Sequence, residues 1–415
     1  MDYTTIHSSS RWSLECSDFA MPKESATQTE TSEPIATALE DPLERLLSFE
    51  PTSLPVVSVY LNTEPDSHGR DPEVIPYLQR QFKSLGRTWA AGTPERQSFD
   101  RDVERILAYT DGKIDPAANG VALFACAGAA EFFEAVQLAA PIDGNRIYVY
   151  NQPHIYLLTR IDDEYPRYAA LVADANRGRI FVFGLGRTIE IADVKGEKVH
   201  RVKVGGWSQA RYQRRVGNAH QQFAKEALEK LEQIVSAEHI KRIVIGGDLA
   251  IAPALKEQIP QHLAALVVDM DVMKLDVKAS EQDILGATFE KMREYESKSE
   301  SEKVARLLEE YRSGGLAVAG PKDTLDALAN GQVDELLISD SLDRSRPERE
   351  TVDAIVAPEI PDSTGGTGSD EPRQVSLPDL LVTKARQTDA TITFIRDVSL
   401  LDGLEGVGAL LRWRS

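Results

Sequence analysis

Cysteine is scarce in this chain: there are two in 415 residues, Cys16 and Cys126. They lie far apart and neither belongs to a Cys-x-x-Cys pair, so neither a thiolate zinc site nor a disulfide framework has support. Long apolar runs are missing as well. No stretch approaches the roughly 18 apolar residues of a spanning helix. Met1 to Glu30 is polar and acidic, without the apolar core of a secretory signal. The expected setting is reducing and cytoplasmic. Positive charge is in deficit, with 47 Lys and Arg against 66 Asp and Glu, for a net charge of −19. A uniformly acidic surface argues against membranes and non-specific DNA as partners. Apolar residues are thin over positions 1–42, which are rich in Ser, Thr, Glu and Pro, so a disordered tail is expected there. Composition favours a plain leader over a docking motif built on Trp12 and Phe19.

The rest has enough apolar residues, 42% of the whole, for several cores. Short β-branched runs alternate with helical periods, which predicts a mixed α/β (α+β) fold. The expected layout is three domains after the tail: 43–166, 167–313 and 314–415, the last with a flexible, Pro-, Gly- and acid-rich insertion over 343–373. Strands are expected at Pro55–Leu61, Gly120–Cys126, Ile147–Tyr150, His154–Leu158, Tyr168–Asn176, Ile180–Phe183, Ile240–Gly247, Leu266–Val268 and Ala390–Ile395, with a hairpin turn over Asn176–Arg179. Helices are expected over 74–90, 94–110, 208–236, 251–258, 281–312, 321–329 and 377–387, and Val333–Ser339 reads as a helix end feeding a strand.

One segment breaks the acidic background. Lys195, Lys198, Arg201, Lys203, Arg211, Arg214 and Arg215 surround the pair Gly205-Gly206. If a helix starts near Ser208, Arg211, Arg214 and Arg215 share one face. Such a tract suits a phosphate backbone, the glycines free the loop, and Trp207 and Tyr212 offer stacking surfaces for unpaired bases. A basic patch alone also fits a solvated helix start after a turn. Other chemical motifs are weaker. Gly184-Leu185-Gly186 lacks the third glycine of a dinucleotide fingerprint and reads as a hairpin turn. Gly246-Gly247-Asp248 reads as a strand-to-helix turn rather than a phosphate cradle. Asp269 and Asp271 are too few for a metal site, and His200 and His220 read as surface histidines. No metal or cofactor is expected.

The stretch Gly205-Gly206-Trp207-Ser208-Gln209-Ala210-Arg211-Tyr212-Gln213-Arg214 resembles the catalytic-loop motif of archaeal and eukaryotic class I peptide release factors. That family reads Gly-Gly-Gln-Ser-x-x-Arg-Phe-x-Arg at the same ungapped spacing. Gly205, Gly206, Ser208, Arg211 and Arg214 match, and Tyr212 replaces Phe conservatively. Ala319-Gly320-Pro321, Leu325 to Ala329 and Val333 to Asp340 resemble the third domain shared by release factors and Pelota. The resemblance covers roughly residues 45–415, most specifically 168–340, and points to the bacterial group of the superfamily. It implies catalytic roles for Gly205, Gly206 and Trp207. Lys203, Ser208, Arg211, Tyr212, Arg214 and Arg215 are implied as RNA-binding residues. The implied partners are the ribosome, through its RNA and P-site peptidyl-tRNA, and a translational GTPase.

Three departures shape the expected activity. Trp207 stands where the family has Gln; it keeps the backbone N–H, loses the amide and adds bulk. The first domain lacks an Asn-Ile-Lys-Ser signature for stop codons, and no cysteine-rich zinc module accompanies the third. The expected function is therefore codon-independent hydrolysis of peptidyl-tRNA on stalled ribosomes. A non-hydrolytic A-site factor that protects dormant ribosomes is the alternative, and an RNA-binding adaptor with no ribosomal role is a third.

Overall fold

A computed structural model describes residues 34–65, 73–196, 207–340, 342 and 376–414, with the backbone alone over 207–213. The first sheet is antiparallel throughout, in the order β3-β2-β1-β4. Its strands are β1 (Val56–Asn62), β2 (Gly120–Cys126), β3 (Phe132–Leu138) and β4 (Arg146–Tyr150). β1 and β2 are nearly continuous apolar runs, and both of their faces are buried. On one face lie α2 (Val74–Leu85) and α3 (Pro94–Gly112), through Leu78, Phe82, Phe99 and Ile106. Thr93 starts α3 by accepting the Arg96 N–H, and Pro94 takes the first helical position. The other face carries α1 (Glu40–Leu47) and α4 (Tyr156–Glu164). Order begins before Leu43: Leu39 is fully buried and the Ala36 N–H donates to the Gln137 carbonyl. One buried leucine and one backbone hydrogen bond dock this polar stretch. Residues 1–33 of the expected tail lie outside the described residues.

The second sheet has the order β7-β6-β5-β8-β9. β5 (Tyr168–Ala173), β6 (Arg177–Gly184) and β7 (Arg187–Lys195) form an antiparallel meander. The long helix α5 (Trp207–Ala237) crosses over to β8 (Ile243–Gly247), which runs parallel to β5. Then come α6 (Ala252–Gln258), α7 (Gln261–Ala264) and the short β9 (Met273–Lys274). The strand expected at Leu266–Val268 is reduced to one bridge, Ile243 to Val267. β9 pairs instead with Gly246 and Gly247 farther along the same strand.

The third sheet has the order β10-β13-β11-β12. It contains β10 (Ala317–Ala319), β11 (Val333–Ser339), β12 (Thr391–Ile395) and β13 (Val407–Leu411). α9 (Pro321–Ala329) and α10 (Leu377–Gln387) pack against it. Val333–Ser339 is strand throughout, because pairing with both β12 and β13 outweighs its charged start. The expected insertion 343–373 lies outside the described residues.

The segment expected as a strand at His154–Leu158 is instead the start of α4, and a distant residue is responsible. Asp379, fully buried on α10, accepts the Tyr156 N–H at 2.9 Å, the Ser376 hydroxyl at 2.9 Å, and a short contact from His154 Nδ1. One carboxylate thus satisfies a free N–H at the start of α4, as a capping side chain does. The Tyr156 hydroxyl donates to the Ser339 carbonyl at 2.8 Å. α4 therefore shares one core with the first and third sheets, through Leu158 and Phe394 among others. The second and third sheets are joined by α8 (Glu281–Ser313). Ser280 caps its start and Gly314, with φ 72°, ends it. Ile284 and Met292 pack on the second sheet, while Val304 and Leu307 pack on the third.

Where α4, α8 and β12 meet, the contact is charged. Burial pushes the Asp163 carboxyl up to about 7 from its ordinary 3.8; Arg396 and the Phe394 N–H pull it back only partly, and Glu296 and Glu300 push it further. A proton held more tightly in the folded chain makes a stabilising contribution that is complete below the ordinary carboxylate range and is lost as pH rises through the folded value. We expect Asp163→Asn to gain thermal stability over wild type progressively between about pH 4 and about pH 7, with the difference constant above that. A melting-temperature difference independent of pH would refute this.

Candidate functional site

β7 ends at Lys195, and α5 begins at Trp207, immediately after the Gly-Gly pair. In sequence the motif thus lies between an edge strand and the start of the 31-residue α5. Lys203, Gly205 and Gly206 lie outside the described residues, as do Lys198, His200 and Arg201. Trp207, Ser208, Arg211 and Tyr212 lie on the described backbone of α5. Arg214 and Arg215 are described in full and exposed.

Two features of α5 bear on chemistry. Its packing begins late. Residues 214–222 are exposed or half-buried, and among the described side chains of the helix the first buried one is Phe223. Among the described side chains, Gln221 is the first on the helix to bond another element, to Glu257 and Gln258 of α6 at 2.6 Å each. Fourteen residues separate Trp207 from Gln221, which is about 21 Å of helix.

The charge along α5 is also divided. Between Trp207 and Lys225 there is no Asp or Glu, while Glu226, Glu229 and Glu232 follow. The arginines thus all lie in the N-terminal half. That is the unfavourable end of a helix for cations, since the macrodipole is positive there. Neither Arg214 nor Arg215 has an acidic partner within ion-pair distance among the described residues. Trp207, as the first helical residue, also contributes one of the N–H groups that have no partner within the helix.

The root of the loop is clamped. The Gly196 N–H donates to the Asn176 carbonyl at 2.8 Å. A Cβ on Gly196 would lie 2.8 Å from the Phe223 ring, and one on Gly178 would lie 3.3 Å from it. Phe223 thus fixes α5 against the ends of β6 and β7. This clamp depends on cross-strand register and was not apparent from the motif.

The remaining candidates resolve as structural features. Leu185 and Gly186 have positive φ in the β6–β7 turn, so Gly184-Leu185-Gly186 is a hairpin turn. Gly247 has φ 144°, and a Cβ there would collide with the Ala173 carbonyl, so the turn into α6 requires glycine. Asp269 pairs with Lys291 at 2.8 Å and Asp271 with Lys256 at 2.7 Å, so the two acids are held apart by separate lysines. Among the described residues no cluster of three or more His, Cys, Asp or Glu is placed to hold a metal. No helix there is long and apolar enough to cross a membrane.

The family model for bacterial archaeo-eukaryotic release factor family 10 matches residues 153–293, and that for eRF1 domain 3 matches residues 297–415. The chain belongs to the release-factor family. Peptide chain release factor subunit 1 of Methanocaldococcus jannaschii is 23% identical over 319 residues, covering 73% of this chain and 74% of that protein. The protein of the same name from Thermoplasma acidophilum is 23% identical over 317 residues, with the same coverage. The crystal structure of the archaeal termination factor aRF1 covers 90% of this chain and 97% of its own at 15% identity, with a TM-score of 0.24. In this release-factor-type chain the first model begins just ahead of α4 and ends within α8, so it includes the whole second sheet and the motif.

The clamp makes a prediction. Gly196→Ala should destabilise the protein by about 1–3 kcal/mol, as overpacking does, and Phe223→Leu in the same chain should recover part of that loss. Urea denaturation of the two variants measures it; an unchanged midpoint in Gly196→Ala would contradict the clamp.

Proposed function

We propose that this chain is a ribosome-associated, release-factor-like protein that hydrolyses peptidyl-tRNA on stalled ribosomes without reading a codon. The observation that carries the proposal is the intact Gly205-Gly206-x-Ser208-x-x-Arg211 spacing at the acid-free start of a long helix. Family membership supports the ribosome as the partner. In this reading α5 delivers the loop to the peptidyl transferase centre. Arg211, Arg214 and Arg215 grip the RNA backbone, where each neutralised phosphate releases counterions. Gly205 and Gly206 allow the backbone to approach the ester closely. The Trp207 N–H, at the positive end of the helix, stabilises charge that develops on the ester carbonyl oxygen. Water is the nucleophile; it adds to the carbonyl carbon, and the ribose oxygen of the tRNA leaves with a proton. The Trp207 side chain takes no part in this scheme, which is why the Gln-to-Trp change is compatible with it.

The same change favours a second reading. The indole adds bulk where the family has an amide, and a factor that occupies the A site without hydrolysis has no need of that amide. A translational GTPase belongs to either reading as a delivery partner.

Release of labelled peptide from ribosomes with an empty A site distinguishes the two. We expect release by wild type, and loss of at least about two orders of magnitude in rate for Gly206→Ala, comparable to removing an oxyanion-hole contact, with pelleting retained. Pelleting without release by wild type would establish the occupancy reading. Independently, Arg211→Glu combined with Arg214→Glu should weaken co-sedimentation with ribosomes and flatten its salt dependence. Unchanged pelleting would remove these arginines from the interface.

A further inference from the structure

The β6–β7 hairpin holds an arrangement that folding alone does not favour. Arg177 and Lys195 are direct partners across the antiparallel pair, and both are exposed. Like charges directly opposite one another destabilise a ladder. Two positions along, the same ladder follows the usual rule, with Arg179 opposite Asp193. One neighbouring acid, Asp174, is already committed to its own turn, where its carboxylate accepts the Asn176 and Arg177 N–H groups at 2.7 and 2.8 Å. Among the described residues no ion pair joins Arg177 or Lys195 to an acid.

The place of this pair matters as much as its charge. Each residue directly precedes one of the glycines, Gly178 and Gly196, that pack against Phe223. The pair thus sits at the root of the motif loop, beside the point where α5 leaves the body. Directly opposite residues in such a pair have side chains about 5 Å apart at Cβ, close enough for both cations to reach one phosphate. Arginine adds a planar fork that matches phosphate oxygens. We propose that Arg177 and Lys195 form a second RNA-backbone contact at the root of the loop, extending the basic face of α5 onto the hairpin. This inference rests on the ribosome-binding reading above. The partner is the phosphodiester backbone of RNA: the contact adjoins the acid-free stretch of α5 and has the same charge.

The proposal predicts opposite effects on stability and binding. In the free chain the two cations repel, so removing them does not lower stability; in the complex they neutralise phosphate, so removing them weakens binding. The test is Arg177→Gln with Lys195→Gln in the full chain, titrated against purified ribosomes from about 50 to about 200 mM salt. We expect a logarithmic salt slope shallower than wild type by about 1–2, at roughly 0.7–0.9 per phosphate contact, with a melting temperature equal to or above that of wild type. If wild type binds with salt dependence and the variant has the same slope, this contact is overturned while the ribosome reading stands. If wild type fails to bind ribosomes at all, both fall. A deficit on ribosomes that disappears on protein-free ribosomal RNA would assign the pair to an acidic ribosomal protein and overturn the RNA contact.

Discussion

One helix belonging to two cores sets the geometry of this protein. α8 packs Ile284, Thr288 and Met292 beside the second sheet and Val304 and Leu307 beside the third. Twelve residues, about 18 Å of helix, separate Met292 from Val304, so the spacing of the two cores is fixed by helical rise. Glu300 lies between and accepts the Arg396 backbone N–H while pairing with its guanidinium at 2.8 Å. That contact fixes the helix's rotation as well as its length. The first sheet joins through a different device, the Asp379 carboxylate that serves the starts of both α4 and α10. Three sheets are thus tied together by one shared helix and one buried acid.

Against that fixed body, α5 is built in two unlike halves. The half from Phe223 onward is amphipathic in the ordinary way, with Ala224, Ala227, Leu228 and Leu231 buried. The earlier half has no acid to balance its arginines, and from Arg214 to Gln222 no side chain is buried. A sequence selected only for folding would place carboxylates there. The opposed cations of the β6–β7 ladder break a second local rule in the same neighbourhood. Local rules fail most readily at functional sites, and here two failures of the same sign adjoin one loop.

Much of this was legible in the sequence. The α5 and α8 periods were strong enough to give their ends within about two residues, and the motif was identified by its resemblance to the release-factor catalytic loop. The failures share a cause. His154–Leu158 is an apolar run that reads as a strand, and it becomes a helix because Asp379, more than 200 residues away, caps it. β3, with Phe132, Phe133 and Glu134 in sequence, has no clean alternation, because its first half is only partly covered. Val267 manages a single bridge because β9 holds the next positions of β8. Likewise, nothing local in Arg177 or Lys195 shows that they face each other. Register is a property of two strands, and the hairpin turn alone does not display it.

The division of α5 also bears on its thermodynamics. Helix formation is costly to start and nearly neutral to extend. The packed turns around Phe223 serve as a permanent nucleus, so the exposed turns from Arg214 to Gln222 need only propagation to remain helical. Propagation there is resisted by repulsion among like charges and by Gly217, whose neighbourhood is open and which costs about 1 kcal/mol relative to alanine. These turns therefore lie close to a helix–coil balance point. A polyanion that cancels the arginine charge moves that balance toward helix, so recognition and the straightening of the arm become a single equilibrium.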